Sequence, residues 1–395
     1  MKISVIRGQK TKTMHKIGDN IISSLGFTTE ENFNAVKQGI SGVKHYDVGT
    51  FDLPEAFMAS LIDKEKLDNE FTKAFPNFKD LKSLTSLEKA AILSIFTANK
   101  EAQIDLSSER VLFILSTTKG NVDLLENETC HCGLDPQSPV YLWKTARTIS
   151  DFFKNSNTPT VVSNACISGA AAQIAAMREL ETGDYDYAVV VGADFLSKFI
   201  ISGFQSFKAL SPELCKPFDK DRLGLNLGEA AATMIFSRVK TRHATSLLNG
   251  AIRNDANHIS APSRTGEGSY RALQYILSQV DKSQIAFISA HGTSTPYNDA
   301  AEVNAIARAG LENVPINSLK TFFGHTLGAA GVVESIISIK ALEENTVLES
   351  KNFTEQNFEN QVNISRENHF SDKKYFIKML SGFGGCNAAL LFSRS

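Results

Sequence analysis

Val161–Leu180, VVSNACISGAAAQIAAMREL, is the stretch on which the fold of this chain turns. Ahead of it, Thr158 to Val162 is a β-branched run broken by one proline, and it reads as a strand. Behind it, Ala170, Ile174, Met177 and Leu180 recur at helical spacing, and Gly183 supplies a stop. Cys166 therefore falls at a strand-to-helix turn, beside the first free backbone N–H groups of a helix. Those groups and the helix dipole favour an anion. They are expected to lower the thiol pKa, and to bind the oxyanion that forms when a thioester carbonyl is attacked. The small residues Ala165, Ser168, Gly169 and Ala170 let another chain or a ligand approach closely. The plain alternative is a buried small hydrophobe, which is the commoner state of an isolated Cys.

The rest of the chain narrows the class. Its 395 residues suffice for two core-bearing units. A formal net charge of −2 excludes an obvious polyanion binder, so no nucleic-acid partner is expected. The opening MKISVIRGQKTK is too charged, and its apolar run too short, for a signal peptide. No uninterrupted apolar stretch reaches membrane-spanning length, so no membrane insertion is expected. Five cysteines at irregular spacing make no disulfide framework, and a reducing cytoplasm is the expected location. Cys130, His131 and Cys132 form a compact CHC. With no second Cys/His pair near it, a polar loop carrying two thiols is preferred to a metal site.

Strand-like runs alternate with helix-like ones, which argues for an α/β fold. The strands include Val111 to Leu115, Ala188 to Val191, Ala231 to Phe236, Ile285 to Ser289 and Tyr375 to Leu380. The helices include Leu87 to Ala98, Val303 to Ala309 and Val332 to Leu342. The charged SRVKTRHATS, Ser237 to Ser246, reads as the link between two halves, 1–240 and 241–395. Each half ends in an apolar strand, AATMIF and AALLF, a faint sign of duplication.

Three further motifs carry chemistry. In ISAHGTSTPYNDAAE an apolar strand ends at His291, and a turn rich in hydroxyls leads through Asp299 and Glu302 into a helix. Such a His suits an imidazole facing a ligand, and Thr293 and Thr295 alternate so that both can bond one extended ligand. In NSLKTFFGHTLGAAGVVES, Lys320 and His325 flank a turn at Gly324, and a nearby Lys biases a His toward its neutral form. In LSGFGGCNAALLF a glycine-rich loop bearing Phe383 interrupts two strands, as a hairpin whose aromatic can line or gate a pocket. Taken singly, each also fits a structural histidine, a solvated lysine or a plain hairpin. One Cys at a helix start with two His on separate turns matches an activated nucleophile with helpers.

Together these motifs resemble the elongating β-ketoacyl-acyl carrier protein (ACP) synthases, condensing enzymes of the thiolase fold. NACISG resembles the family's nucleophile motif, HGTSTPYND its first histidine motif and KTFFGHTLGAAG its second. PFDKDRLGLNLGEA, DANHISAP and GFGGCN follow in family order, and the likeness runs from about Gly26 to the end. The resemblance implies two pseudo-repeated halves in a five-layer αβαβα sandwich. It implies an acyltransferase (EC 2.3.1 class) that catalyses decarboxylative Claisen condensation. Cys166 would carry the acyl chain as a thioester, with the backbone N–H groups of Cys166 and Phe383 as oxyanion hole. His291 and His325 would promote malonyl decarboxylation and stabilise the enolate. Lys320 and Glu302 would hold the histidine network, Thr293 and Thr295 would contact the phosphopantetheine arm, and Phe383 would gate. No cofactor and no metal are implied, since the substrates ride on ACP. The family pairs as dimers, so a homodimer or a heterodimer with a related ketosynthase-like subunit is expected, with Pro159 to Ser163 near the interface.

The chain departs from the family at GDNIISSLG (Gly18 to Gly26) and STTKGNVDLL (Ser116 to Leu125), both expected to sit away from the catalytic motifs. Leu223 and Ala230 replace an Asp and a Gly more typical of fatty-acid synthases. RLGLNLGEAAA and STTKGN look more like ketosynthases of aryl polyene or flexirubin-type pathways. A non-catalytic partner of the chain-length-factor kind is the main alternative, but such partners usually lack the nucleophilic Cys. A thiolase or CoA-priming synthase is opposed by GHTLGAAG.

Overall fold

The computed structural model describes residues 13–126, 138–239, 245–278 and 280–394. Cys130, His131 and Cys132 lie outside the described residues, as do 240–244 of the link and the opening 1–12.

Ten strands form the central sheet system. Five belong to the first half: β1 (Met14–Ser23), β2 (Val111–Ser116), β3 (Thr160–Val162), β4 (Tyr187–Asp194) and β5 (Ala230–Ser237). Five belong to the second: β6 (Ser246–Asn254), β7 (Ile285–Ser289), β8 (Ile316–Asn317), β9 (Tyr375–Gly382) and β10 (Cys386–Ser393). The first half is ordered β1-β5-β4-β2-β3 and the second β6-β10-β9-β7-β8. In each, the first strand pairs antiparallel with the fifth and the fifth with the fourth, and the rest are parallel. The faint sign of duplication is thus a shared topology. Among the described residues, Met14↔Leu247 and His15↔Ser246 are the register pairs that join β1 to β6, so one ladder works as two five-stranded sheets.

Among the described residues, ten α-helices cover and separate these sheets. They are α1 (Thr29–Lys37), α2 (Lys64–Ala74), α3 (Ser86–Ala102), α4 (Leu142–Phe152), α5 (Ser168–Thr182), α6 (Lys198–Ser206), α7 (Glu267–Leu277), α8 (Pro296–Arg308), α9 (Lys320–Phe323) and α10 (Ala330–Glu343). α3 packs outside the first sheet with α2 and α4, α7 and α8 lie outside the second, and α5 and α10 lie between the two. The result is the five-layer αβαβα sandwich of the thiolase fold. β2 and β5 are buried along their whole length, which is why they read as unbroken apolar runs. α10 is buried at every position except Lys340 and Glu343, as a helix between two sheets must be.

The small residues after Cys166 serve this central layer. A Cβ on Gly331 would lie 2.4 Å from Ala170 N, and one on Gly169 would lie 2.9 Å from Gly331 Cα. What approaches these small residues is neither another chain nor a ligand but α10 of the same chain. Gln173 Nε2 spans the contact, donating to Gly331 O at 2.9 Å and Gly169 O at 3.1 Å.

Gly331→Ala forces two backbones apart in a packed layer and is expected to cost ~3 kcal/mol, seen as a clear drop in Tm by calorimetry. Gly203→Ala in α6, where a Cβ meets nothing within 4 Å, is the control and should leave Tm unchanged or slightly raised.

Candidate active site

Cys166 sits two residues ahead of α5 on a strained elbow. Ala165 has φ 44°, a left-handed conformation unusual for a residue with a side chain. Ser168 braces it: its Oγ accepts from Asn164 N at 2.8 Å and donates to Ala165 O at 2.6 Å. The backbone N–H of Phe383 is directed at the Cys166 sulfur.

The thiol does not behave as the sequence suggested. Burial pushes it up to about 11, against the pull of Lys320 and of the Phe383 N–H. A helix terminus contributes on the order of 0.3–1 kcal/mol, less than the cost of a thiolate in a dry site. The resting nucleophile is therefore a thiol, and its proton must move as it attacks.

His291 follows β7 and is fixed through its backbone. Glu302 on α8 accepts from His291 N at 2.6 Å and from Gly292 N at 2.8 Å. Burial raises Glu302 to about 7, opposed by those two amides. Its work is thus to hold the His291 turn. His325 is fixed by LNLGEA: its N–H donates to Asn226 O at 2.7 Å, and Gly228 N donates to its carbonyl at 3.0 Å. His325 Nδ1 accepts from Leu327 N at 3.3 Å, which places the ring proton on Nε2. That Nε2 is buried with no partner among the described residues.

The two rings stand nearly perpendicular, 83°, with centroids 5.2 Å apart. Ligand atoms of Cys166, His291 and His325 all lie within 4.8 Å of one another. Three such atoms could close on an ion; the same spacing brackets a carbonyl. Burial holds both histidines well below the usual range, reinforced by Lys320 and Lys378, so both are neutral. The bias of Lys320 expected from the sequence is present.

Lys320 is ion-paired with Glu334 on α10, while Glu302 holds the His291 turn. The topology explains this: α9 faces the central layer, whereas Glu302 rises from the outer helix α8. Glu334 and Lys378 were missed by sequence reasoning. Their signal was a lone acid in VVESIISI and a lone Lys in YFIKML, each a charge at an apolar position.

STTKG is likewise not remote. Asp194 accepts from Thr117 Oγ1 at 2.8 Å, Thr118 N at 3.0 Å and Gly328 N at 2.6 Å, which ties that loop to the turn behind His325. In-register pairing of β2 with β4 carries the loop there.

A cavity of about 480 Å³ opens onto Cys166, His291 and His325. Thr293 and Thr295 line it, their hydroxyls 2.9 Å apart. Phe383 lies between two aromatics, stacked on Phe204 at 6.1 Å and edge-on to Phe207 at 5.6 Å. Of the site residues expected from sequence, Cys166, His291, His325, Thr293, Thr295 and Phe383 line this cavity, and Glu302 and Lys320 lie behind it.

The chain matches the beta-ketoacyl synthase N-terminal domain over residues 18–242 and the C-terminal domain over 245–354. It is 29% identical to 3-oxoacyl-[acyl-carrier-protein] synthase 2 of Vibrio cholerae, over 95% of this chain and 98% of that protein. A beta-ketoacyl synthase from Burkholderia phymatum superposes with a TM-score of 0.85 at 25% identity, covering 97% of this chain and all (100%) of that one. The ishigamide ketosynthase/chain length factor shares the fold, with a TM-score of 0.86 at 24% identity, covering 98% and 100%.

Because burial holds Cys166 as a thiol, its alkylation by iodoacetamide should climb steadily from pH 7 to 9 with no plateau, when followed by peptide mass mapping. A plateau below pH 8 would mean that a thiolate–imidazolium pair exists at rest.

Proposed function

We propose a mechanism from one premise: the chain belongs to the beta-ketoacyl synthase family, whose two domains span 18–242 and 245–354. It is a β-ketoacyl-ACP synthase, an acyltransferase of the EC 2.3.1 class. The observation that carries the mechanism is a thiol and two neutral imidazoles with reacting atoms within 4.8 Å.

Acyl-ACP enters along Thr293 and Thr295, which suit the polar phosphopantetheine arm. The Cys166 sulfur bonds to the thioester carbonyl carbon, and the carbon–sulfur bond to the arm breaks. The Cys166 proton leaves with the departing thiol. The N–H groups of Cys166 and Phe383 bind the oxyanion between these events. Malonyl-ACP then loses CO2. The electron pair of the broken carbon–carbon bond becomes an enolate, whose oxygen takes hydrogen bonds from His291 and His325. The enolate carbon attacks the acyl carbonyl, the carbon–sulfur bond to Cys166 breaks, and the sulfur leaves with that electron pair and takes a proton from solvent to restore the resting thiol. On this reading two imidazoles, with no metal or cofactor, take the developing charge. A chain-length-factor-like role is disfavoured by the complete Cys–His–His set.

A subunit interface is proposed at β3, a part-exposed strand at the edge of the sheet, facing a second copy or a related subunit. The Phe204–Phe383–Phe207 stack favours flat, conjugated acyl chains of the aryl polyene kind, since aromatic faces stack best on planar partners.

With acyl-ACP and malonyl-ACP, intact mass should show acylated Cys166 and then β-ketoacyl-ACP. Cys166→Ala should abolish both, and His325→Ala should keep acylation while product falls at least ~100-fold. Acylation absent across a varied donor panel would return the chain to a partner role. Phe207→Ala should lower the preference for polyenoyl over saturated donors about tenfold in kcat/KM. Equal discrimination before and after would remove the aromatic stack from substrate choice.

A further inference from the structure

Beside Lys320 the site holds a second buried lysine, which the mechanism leaves unexplained. Lys378 lies on β9 between Phe376 and Leu380, which face the central core, so its own side chain occupies an apolar position in that layer. It is 1% exposed. Burying an ammonium costs several kcal/mol unless every N–H is matched. Here all are. Nζ lies 2.5 Å from Glu334 Oε2 as an ion pair, and it donates to Ala290 O at 2.9 Å and Ser289 O at 3.1 Å. Ser289 Oγ stands a little farther off, at 3.4 Å.

These partners are informative. Ser289 and Ala290 are the last two residues before His291, at the end of β7 beyond which regular strand pairing stops. Glu334 is the acid that also takes Lys320. One lysine thus joins the turn carrying His291 to the charge that sets the surroundings of His325.

We propose that Lys378 is a positioning residue for the decarboxylation half-reaction: it pins the backbone ahead of His291 to Glu334 and so holds the two imidazoles in their shared geometry. This rests on the condensing mechanism above. The groups facing its ammonium are Glu334 on α10, Lys320 on α9, Glu302 on α8, and the two histidines. Its charge opposes protonation of both histidines and favours ionised Glu302. Burial brings Lys378 itself down to about 8, with Glu334 opposing and Lys320 assisting.

Two half-reactions separate positioning from mere stability. Lys378→Met keeps the length and removes the charge; Lys378→Gln keeps one donor for the carbonyls. In wild-type protein both Cys166 acylation and malonyl-ACP decarboxylation are measured, with Tm. For Lys378→Met, acylation is expected to stay within about threefold while decarboxylation falls ~30-fold or more. The acid limb of the decarboxylation profile should move to higher pH, because the histidines lose a neighbouring positive charge. Lys378→Gln should show the same split, more weakly, and it decides the matter if the methionine variant does not fold. Parallel loss of both half-reactions, tracking Tm, would overturn the proposal, as would an unmoved acid limb with decarboxylation intact. Absence of both half-reactions in wild type would instead refute the condensing mechanism.

Discussion

The contact between Gly169 and Gly331 governs the site. Two helices of the middle layer touch backbone to backbone there, close to both N-termini. Cys166 stands just ahead of one N-terminus and His325 just ahead of the other. A larger residue at either glycine would separate the nucleophile from its partner. The same contact brings the first turns of both helices together behind the site.

Charge at the site follows from that arrangement. Two ammoniums, Lys320 and Lys378, share one carboxylate, Glu334, in a region without water contact. Burial, reinforced by these two lysines, keeps both histidines neutral, and neutral rings can donate hydrogen bonds without having to shed a charge first. The resting thiol carries no charge either. The reactants would bring the negative charge, as malonyl carboxylate and then enolate. A site poised in this way rewards the developing charge of the reaction more than the neutral acyl donor.

The sequence showed the local elements clearly and the long-range ones poorly. Strand, elbow and helix around Cys166 were legible because periodicity and Gly183 act over a few residues; Gly183 indeed closes α5 with φ 90°. The hairpin around Phe383 was legible for the same reason. The partner of Lys320 was not. Glu334 and Glu302 are both acids near histidine motifs, and only the layering of α8 outside and α10 inside tells them apart. Thr117 and Thr118 looked remote because their link to Gly328 runs through Asp194, far away in sequence. The direction of the Cys166 shift failed because burial is a property of the assembled layers, whereas a helix N-terminus is visible in the chain.

Phe383 meets the site in two ways, through its ring and through its backbone N–H. The Phe383 ring sits in the aromatic stack while its backbone N–H points at the Cys166 sulfur. Gly384 and Gly385 follow with φ of 86° and 74°, conformations that glycine adopts without strain. Gly384 N is in turn tied to Ile259 O at 2.6 Å, so the loop after Asp255 is joined to the same hinge. An acyl chain long enough to displace the ring must part it from Phe204 and Phe207, and any turn of the backbone then moves the donor as well. On the proposed mechanism, chain entry and stabilisation of the oxyanion would thereby be coupled through a single peptide. A rigid aromatic elsewhere on the wall could sort substrates by shape, but only one carried on this peptide can make the chemistry itself depend on how the chain is seated.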